Sequence, residues 1–219
     1  SNQAFKKGAS LVISDPEGYQ YALAKDLNPA IPFLLVKDVE HTLDYICETF
    51  YSNKPKYVMG ITGTNGKTSV VNLSQQLIEQ KNKSCVTIGT LGVGGVMSLK
   101  TKNTTPDQAF IYRILQMAKS KGANYAFLEV SSHSITQKRT NGVGFKVFCF
   151  TNLSQDHLDY HKDIETYFQS KLSILDILSL DTKIIVNIDD EYGKRFFAEA
   201  KKLGFKIDTI GFGGKVDVK

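Results

Sequence analysis

The chain has 219 residues, 42% of them hydrophobic, and carries 27 basic against 22 acidic side chains for a formal charge of +5. That apolar content excludes wholesale disorder and supports a proper core, and no apolar run reaches the ~20 residues that a membrane span needs. Only Arg113, Arg139 and Arg195 are arginines, and the lysines are spread along the whole length. A nucleic-acid binder gathers its basic residues into a stripe, so this charge reads as a solvated surface and no nucleic-acid partner is expected. Cys47, Cys85 and Cys149 are odd in number, far apart and set in apolar segments. They fit neither a disulfide framework nor a metal-ligand spacing, and reduced thiols in a cytoplasmic protein without a signal peptide are expected.

In chain order, residues 1–7 have the flavour of a helix end and residues 10–14 read as a strand. A stretch rich in Asp15, Pro16, Gly18, Asn28 and Pro29 reads as a loop leading to a second strand at 32–36. Val39, Leu43, Ile46 and Phe50 then recur on one helical face. A linker at 53–55 is followed by strand-like runs at 56–62, 85–90, 125–130, 145–150, 183–188 and 206–210. Helical patterns at 67–81, 107–121, 164–180 and 190–203 separate several of them, and the glycine-rich stretch 92–95 reads as a turn or hairpin. This alternation predicts an α/β fold with a mostly parallel sheet between helices. The expected division is 1–52, the end of a small α/β domain, and 53–219, the larger part of the next, with the chain a piece cut at both ends.

The most informative stretch runs from Gly60 to Thr68, reading GITGTNGKT. It follows a strand and opens a helix, the context in which glycines let main-chain N–H groups surround an anion at a helix N-terminus. Lys67 is expected to reach the β- and γ-phosphates of a nucleoside triphosphate, and Thr68 to ligate Mg²⁺. The strict P-loop pattern wants a glycine where Ile61 stands. A metal also needs an acid on a neighbouring strand. Glu129, near the carboxyl end of the strand at 125–130, is that acid, although singly an acid at a strand end is usually a solvated rim residue.

Four blocks together carry a family resemblance: TGTNGKT at 62–68, NTTPD at 103–107, EVSSH at 129–133 and TNLSQDHLDYH at 151–161. The chain resembles the Mur ligases, the ATP-dependent amide-bond-forming enzymes of peptidoglycan precursor synthesis. With Tyr167, Phe168 and Lys171, it looks most like the member that adds the third peptide residue. The resemblance implies a P-loop ATPase domain preceded by the end of a UDP-binding domain, with the amino-acid-binding C-terminal domain absent. It also implies the reaction: ATP phosphorylates the D-glutamate carboxylate of UDP-N-acetylmuramoyl-L-alanyl-D-glutamate, and the amine of diaminopimelate or lysine attacks the acyl phosphate.

The same resemblance implies residue roles. Gly63, Thr64, Asn65, Gly66, Lys67, Thr68 and Ser69 would hold the triphosphate, and Asn187 the adenine. Thr68 and Glu129 would hold one Mg²⁺ and His157 a second. Asn103, Thr104, Thr105, Ser131, Gln137 and Arg139 would hold the muramoyl-dipeptide, Arg139 through paired N–H donors matched to a carboxylate or phosphate. By position alone Lys171 is one lysine among many on a predicted helix and reads as surface charge. The resemblance makes it a carbamylated lysine (N6-carboxylysine), whose carbamate oxygens can ligate Mg²⁺ as an ammonium cannot. The expected partners are small molecules, namely ATP, the UDP-sugar dipeptide and an amino acid. The expected state is a monomer that inserts into no membrane and, as a fragment, is inactive alone. Two alternatives stand beside this reading. One is another Mur-type ligase, at a different ladder step or folylpolyglutamate synthetase-like; the other is a P-loop ATPase switch.

Overall fold

The computed structural model describes residues 8–25, 32–154, 163–213 and 216–217, and the chain divides into two units, Ser1–Phe50 and Tyr51–Lys219. In the first unit, strands β1 (Val12–Ser14) and β2 (Phe33–Leu35) pair in parallel, with Val12 opposite Phe33. Between them lies helix α1 (Pro16–Ala24), where a loop was expected. The turn residues there are a helix start. Asp15 caps the end by accepting from the Gly18 N–H, Pro16 occupies the first turn, where its missing N–H costs nothing, and Glu17 suits the positive end. Helix α2 (Val39–Phe50) spans the predicted amphipathic stretch and buries Cys47. The helix end expected at 1–7, with Asn28 and Pro29, lies outside the described residues.

The second unit is built on a seven-stranded sheet. Its strands are β3 (Tyr57–Thr62), β4 (Cys85–Gly89), β5 (Gly92–Gly95), β6 (Tyr125–Glu129), β7 (Val147–Phe150), β8 (Lys183–Asn187) and β9 (Lys206–Ile210), in the order β5-β4-β6-β3-β7-β8-β9. Every pairing is parallel except β4 with β5, a hairpin that turns through Thr90 and Leu91. Helices α3 (Lys67–Gln80), α4 (Gln108–Ser120), the short α5 (Ser132–Thr136), α6 (Ile164–Leu172) and α7 (Glu191–Lys202) connect them. The interior strands read as continuous apolar runs because helices cover both faces. Val86, Ile88, Leu128, Phe148, Phe150, Ile184 and Val186 are all fully buried, and Phe150 stacks on Phe196 of α7 at 4.6 Å.

Two further expectations are corrected. The helix expected over 164–180 stops at Leu172 and tightens into a 3₁₀ turn, Ser173–Asp176. The apolar spacing there mimics a helix, but the tighter turn buries the consecutive side chains of Ile174 and Leu175, and the Ser173 hydroxyl bonds back to the Ser170 carbonyl. Helix α5 was not expected at all; its N-terminus is capped by Ser131, which accepts from the Ser134 N–H. Burial pushes the Cys85 and Cys149 thiols up to about 11, which leaves them protonated and unreactive near neutral pH. No helix among the described residues is long and apolar enough to cross a membrane.

Strand register sets where the connecting loops emerge. Ile61 of β3 lies opposite Glu129 of β6, and Thr62 lies opposite Phe150 of β7. The loop after β3, the acid ending β6 and the segment after β7 therefore emerge side by side at one edge of the sheet, the carboxyl-end edge where open α/β sheets bind ligands.

Candidate active site

The loop from Gly63 to Gly66 joins β3 to α3, and its two glycines answer different demands. Gly66 caps α3 at φ +86°, a left-handed conformation that disfavours a side chain, and a Cβ on Gly63 would collide with the Thr151 hydroxyl. The segment after β7 braces the loop from one side. The Thr151 hydroxyl donates to the Asn65 carbonyl at 2.7 Å, and Asn152 both accepts from the Asn65 N–H at 3.0 Å and donates to its carbonyl at 3.1 Å. The Thr64 N–H donates to the Asn152 carbonyl at 2.9 Å, and the Thr64 hydroxyl accepts from the Ser154 N–H at 3.0 Å. Lys67 donates from Nζ to the Gly63 and Thr64 carbonyls, both at 2.9 Å, so its charge sits at the mouth of the loop.

Glu129 is 1% exposed, not a solvated rim acid. Three donors converge on its two oxygens: the Thr68 hydroxyl on Oε2 at 2.8 Å, the Thr90 N–H on Oε1 at 2.9 Å and the Thr90 hydroxyl on Oε2 at 3.1 Å. Thr64 to Ser69, Thr90, Thr104, Glu129 and Ser131 line a cavity of about 310 Å³. Hard oxygens from Thr68 and Glu129, in mutual contact within that cavity, are the donor set that suits Mg²⁺.

A second cavity, of about 330 Å³, adjoins the first, with Thr104 and Ser131 lining both. All six residues expected at the muramoyl-dipeptide line it: Asn103, Thr104, Thr105, Ser131, Gln137 and Arg139, joined by Lys102 and His133. Thr105 is buried and ties two of the sequence blocks together. Its hydroxyl donates to the Glu129 carbonyl at 2.7 Å and accepts from the Ser131 N–H at 3.1 Å. Arg139 donates from Nη1 to the Thr105 carbonyl at 2.8 Å and lies 3.6 Å from the exposed Asp107 carboxylate.

Lys171 is not surface charge. It is 1% exposed on the inner face of α6, donates to the Gly63 carbonyl at 3.2 Å and lies 4.6 Å from the centre of the Tyr167 ring. Its helix is held against α5 by a contact of 2.8 Å between Thr136 and Ser170 and against α7 by a bidentate ion pair between Glu165 and Arg195, at 2.7 and 2.8 Å. That guanidinium holds the Glu165 carboxyl down at about 2. Asn187 ends β8 and accepts from the Asp189 N–H at 3.0 Å; it lines neither cavity. His157, expected at a second metal, lies outside the described residues.

Sequence reasoning missed Thr90, Thr151, Asn152 and Ser154. The last three stand in the fourth block, where the resemblance implies a role for His157 alone, and hydroxyl, amide and main-chain contacts to a loop distant in sequence leave no mark in spacing or periodicity. Thr90 stands in no block.

A model described as the Mur ligase middle domain matches residues 61–219. A protein from Pseudomonas aeruginosa named UDP-N-acetylmuramoyl-L-alanyl-D-glutamate--2,6-diaminopimelate ligase is 37% identical over 200 residues, 90% of this chain and 40% of that protein. One of the same name from Coxiella burnetii is 37% identical over 213 residues, 96% of this chain and 42% of that protein. A solved structure titled with that enzyme name superposes with a TM-score of 0.74 at 26% identity, covering 94% of this chain and 46% of the other. The chain spans about two fifths of the length of the curated relatives it matches.

Proposed function

The chain belongs to the Mur ligase family, and from that premise we propose that it carries the nucleotide and acceptor sites of a ligase acting on UDP-N-acetylmuramoyl-L-alanyl-D-glutamate. The observation that carries this reading is the pair of adjoining cavities, one lined by the phosphate loop and Glu129, the other by all six expected acceptor residues, with Thr104 and Ser131 common to both. Phosphoryl transfer is largely positioning plus neutralisation of charge, and two cavities sharing a wall can bring a terminal phosphate and an acceptor carboxylate together.

In this reading the N–H groups from Gly66 into the start of α3, rather than those of Thr64 and Asn65 that Asn152 already engages, hold the triphosphate with Lys67, which turns from the loop carbonyls to the phosphate oxygens. Thr68 and Glu129 hold Mg²⁺, which when bound would offset phosphate charge. Arg139, with Asn103, Thr104, Ser131 and Gln137, orients the acceptor so that its carboxylate oxygen faces the γ-phosphorus. Transfer breaks the bond between the γ-phosphorus and the β–γ bridging oxygen and forms an acyl phosphate with ADP. The amine of the incoming amino acid then displaces inorganic phosphate and loses a proton. The names of the relatives point to 2,6-diaminopimelate as that amino acid. Asn187 is assigned to the adenine and His157 to a second metal ion.

Lys171 is assigned as the carbamylated lysine. Burial with Nζ at the Gly63 carbonyl supports this, because it sets the group that would be modified beside the phosphate loop and away from solvent. In the reaction the amine adds to CO₂ and releases one proton. NMR with isotope-labelled bicarbonate should show a carbamate carbon that Lys171→Ala abolishes.

Calorimetry with Mg·ATP and then the UDP-muramoyl-dipeptide tests the whole reading, with saturable binding of both expected. Failure to bind the dipeptide, together with oligonucleotide-stimulated ATP hydrolysis, would replace it with a P-loop switch.

A further inference from the structure

Thr90 belongs to none of the four blocks and has no role in the proposed reaction, yet it makes two of the three contacts that hold the Glu129 carboxylate. It occupies the first position of the two-residue turn between β4 and β5, where the hairpin register, Gly89 opposite Gly92, fixes its main chain. From there its N–H reaches Oε1 at 2.9 Å and its hydroxyl reaches Oε2 at 3.1 Å, so one residue grips both carboxylate oxygens. The preceding residue makes room for this grip. A Cβ on Gly89 would collide with the Glu129 carboxylate.

The count of protons gives the arrangement a direction. A threonine hydroxyl has a single proton, and that of Thr90 is donated to Glu129. In the 3.1 Å contact between the Thr90 and Thr104 hydroxyls, Thr104 is therefore the donor. The proton of the Thr68 hydroxyl, which also lines the cavity, is likewise spent on Glu129, so that its lone pairs are what it can offer a cation. Thr104, Thr90 and Glu129 thus form a directed chain from the wall shared by both cavities to the buried carboxylate.

We propose that Thr90 is a positioning residue, which fixes both oxygens of Glu129 in the orientation needed by the divalent cation of a bound nucleotide, with Thr104 as the next link. This rests on the proposed nucleotide site. It places the β4–β5 turn within that site, although the turn need not touch the nucleotide.

The test is ADP binding by this chain, measured by calorimetry with Mg²⁺ and again with chelator. The unaltered chain should bind more tightly with Mg²⁺. Thr90→Val keeps the shape and the N–H but removes the hydroxyl; it should cut the magnesium-dependent gain by about ten-fold, with a much smaller change in metal-free binding. Thr90→Ser should restore the gain. Thr90→Ala, which requires no methyl to fit, carries the same expectation as valine if the valine variant fails to fold. A gain that survives in the valine and alanine variants, or that serine does not restore, overturns the proposal. Equal loss with and without metal also overturns it, because that marks a merely structural residue. If the unaltered chain binds no ADP at all, the nucleotide reading fails and this proposal falls with it. If ADP binds without any magnesium-dependent gain, this proposal fails alone.

Discussion

The two adjoining cavities are built by different means. The phosphate cavity draws six of its lining residues, Thr64 to Ser69, from one continuous stretch, and the start of that stretch is clamped by Thr151, Asn152 and the Ser154 N–H, each bond at or below 3.1 Å. The acceptor cavity draws its residues from separate connections, and of the six expected residues only Thr105 is fully buried with its hydroxyl committed on both sides. The difference matches what each has to recognise. A triphosphate offers the same oxygens whatever it is attached to, so a rigid nest of N–H groups serves it. An acceptor is told from its relatives by the placing of a few polar groups, and that is the work of side chains.

If that contrast is right, the largest effect will come from Lys67. Lys67→Ala removes the one cation seated at the mouth of the loop among the residues lining that cavity, and nucleotide affinity should fall roughly a hundred-fold, the cost of losing more than one charged hydrogen bond. Affinity for the UDP-muramoyl-dipeptide, measured separately, should hardly change. A matching loss there would mean that the two cavities are one site.

Arg139 is the counterpart in the acceptor cavity. Arg139→Lys keeps the charge but loses the planar fork that donates to the Thr105 carbonyl while facing the cavity. Dipeptide affinity should fall about ten-fold or more, in line with the loss of a charge-assisted bond, with nucleotide affinity unchanged. A drop in nucleotide affinity would show that Arg139 supports the shared wall instead.

The clamp is sharpened by a pair of threonines. Thr151→Val removes the hydroxyl's 2.7 Å bond to the Asn65 carbonyl, which keeps the Asn152 amide as a donor, and should cost about 0.5–1.5 kcal/mol in denaturant unfolding. Thr62 is buried more deeply still, but its hydroxyl has no hydrogen-bond partner among the described residues. Thr62→Val should therefore leave stability unchanged or raise it, since it removes a desolvated hydroxyl and keeps the volume. Equal losses in the two variants would mean that the clamp is packing, not hydrogen bonding.

The same contrast marks what could be read in the sequence. The strand, loop and helix around Lys67 were legible because glycines, a lysine and a helix start fall in a fixed order along a few residues. The six acceptor residues were legible only through the family resemblance, two of them (Gln137 and Arg139) outside every block, since they come from three separate connections that the fold brings together. Lys171 was misread by chemistry alone because lysine is so rarely buried, and only the fold shows its helix turned inward. Thr90 and Thr151 left no signal because each acts on a main-chain or carboxylate oxygen distant in sequence. Helix α1 was lost for the opposite reason: Asp15 and Pro16 gave a strong local signal, and it was assigned to a turn although the same two residues also start helices.

The smallest expected effect concerns the helix that carries Lys171. Arg195 of α7 lies 4.5 Å from the centre of the Phe168 ring while gripping Glu165, and so fastens α6 to α7 from the solvent side. The folded chain holds the Glu165 carboxyl down at about 2, whereas an unfolded chain leaves it near the ordinary ~4.3. The stabilisation from this pair is therefore fully present above ~4.3 and is lost progressively as pH falls toward about 2. Both partners are exposed, so it should be small and should shrink with added salt. Glu165→Gln should be slightly less stable than the unaltered chain at neutral pH and low salt, and the gap should narrow below about pH 4. A gap that persisted unchanged in acid or in high salt would place its origin in an uncharged contact of Glu165, such as the 2.9 Å bond it accepts from Gln169, and not in the ion pair across to α7.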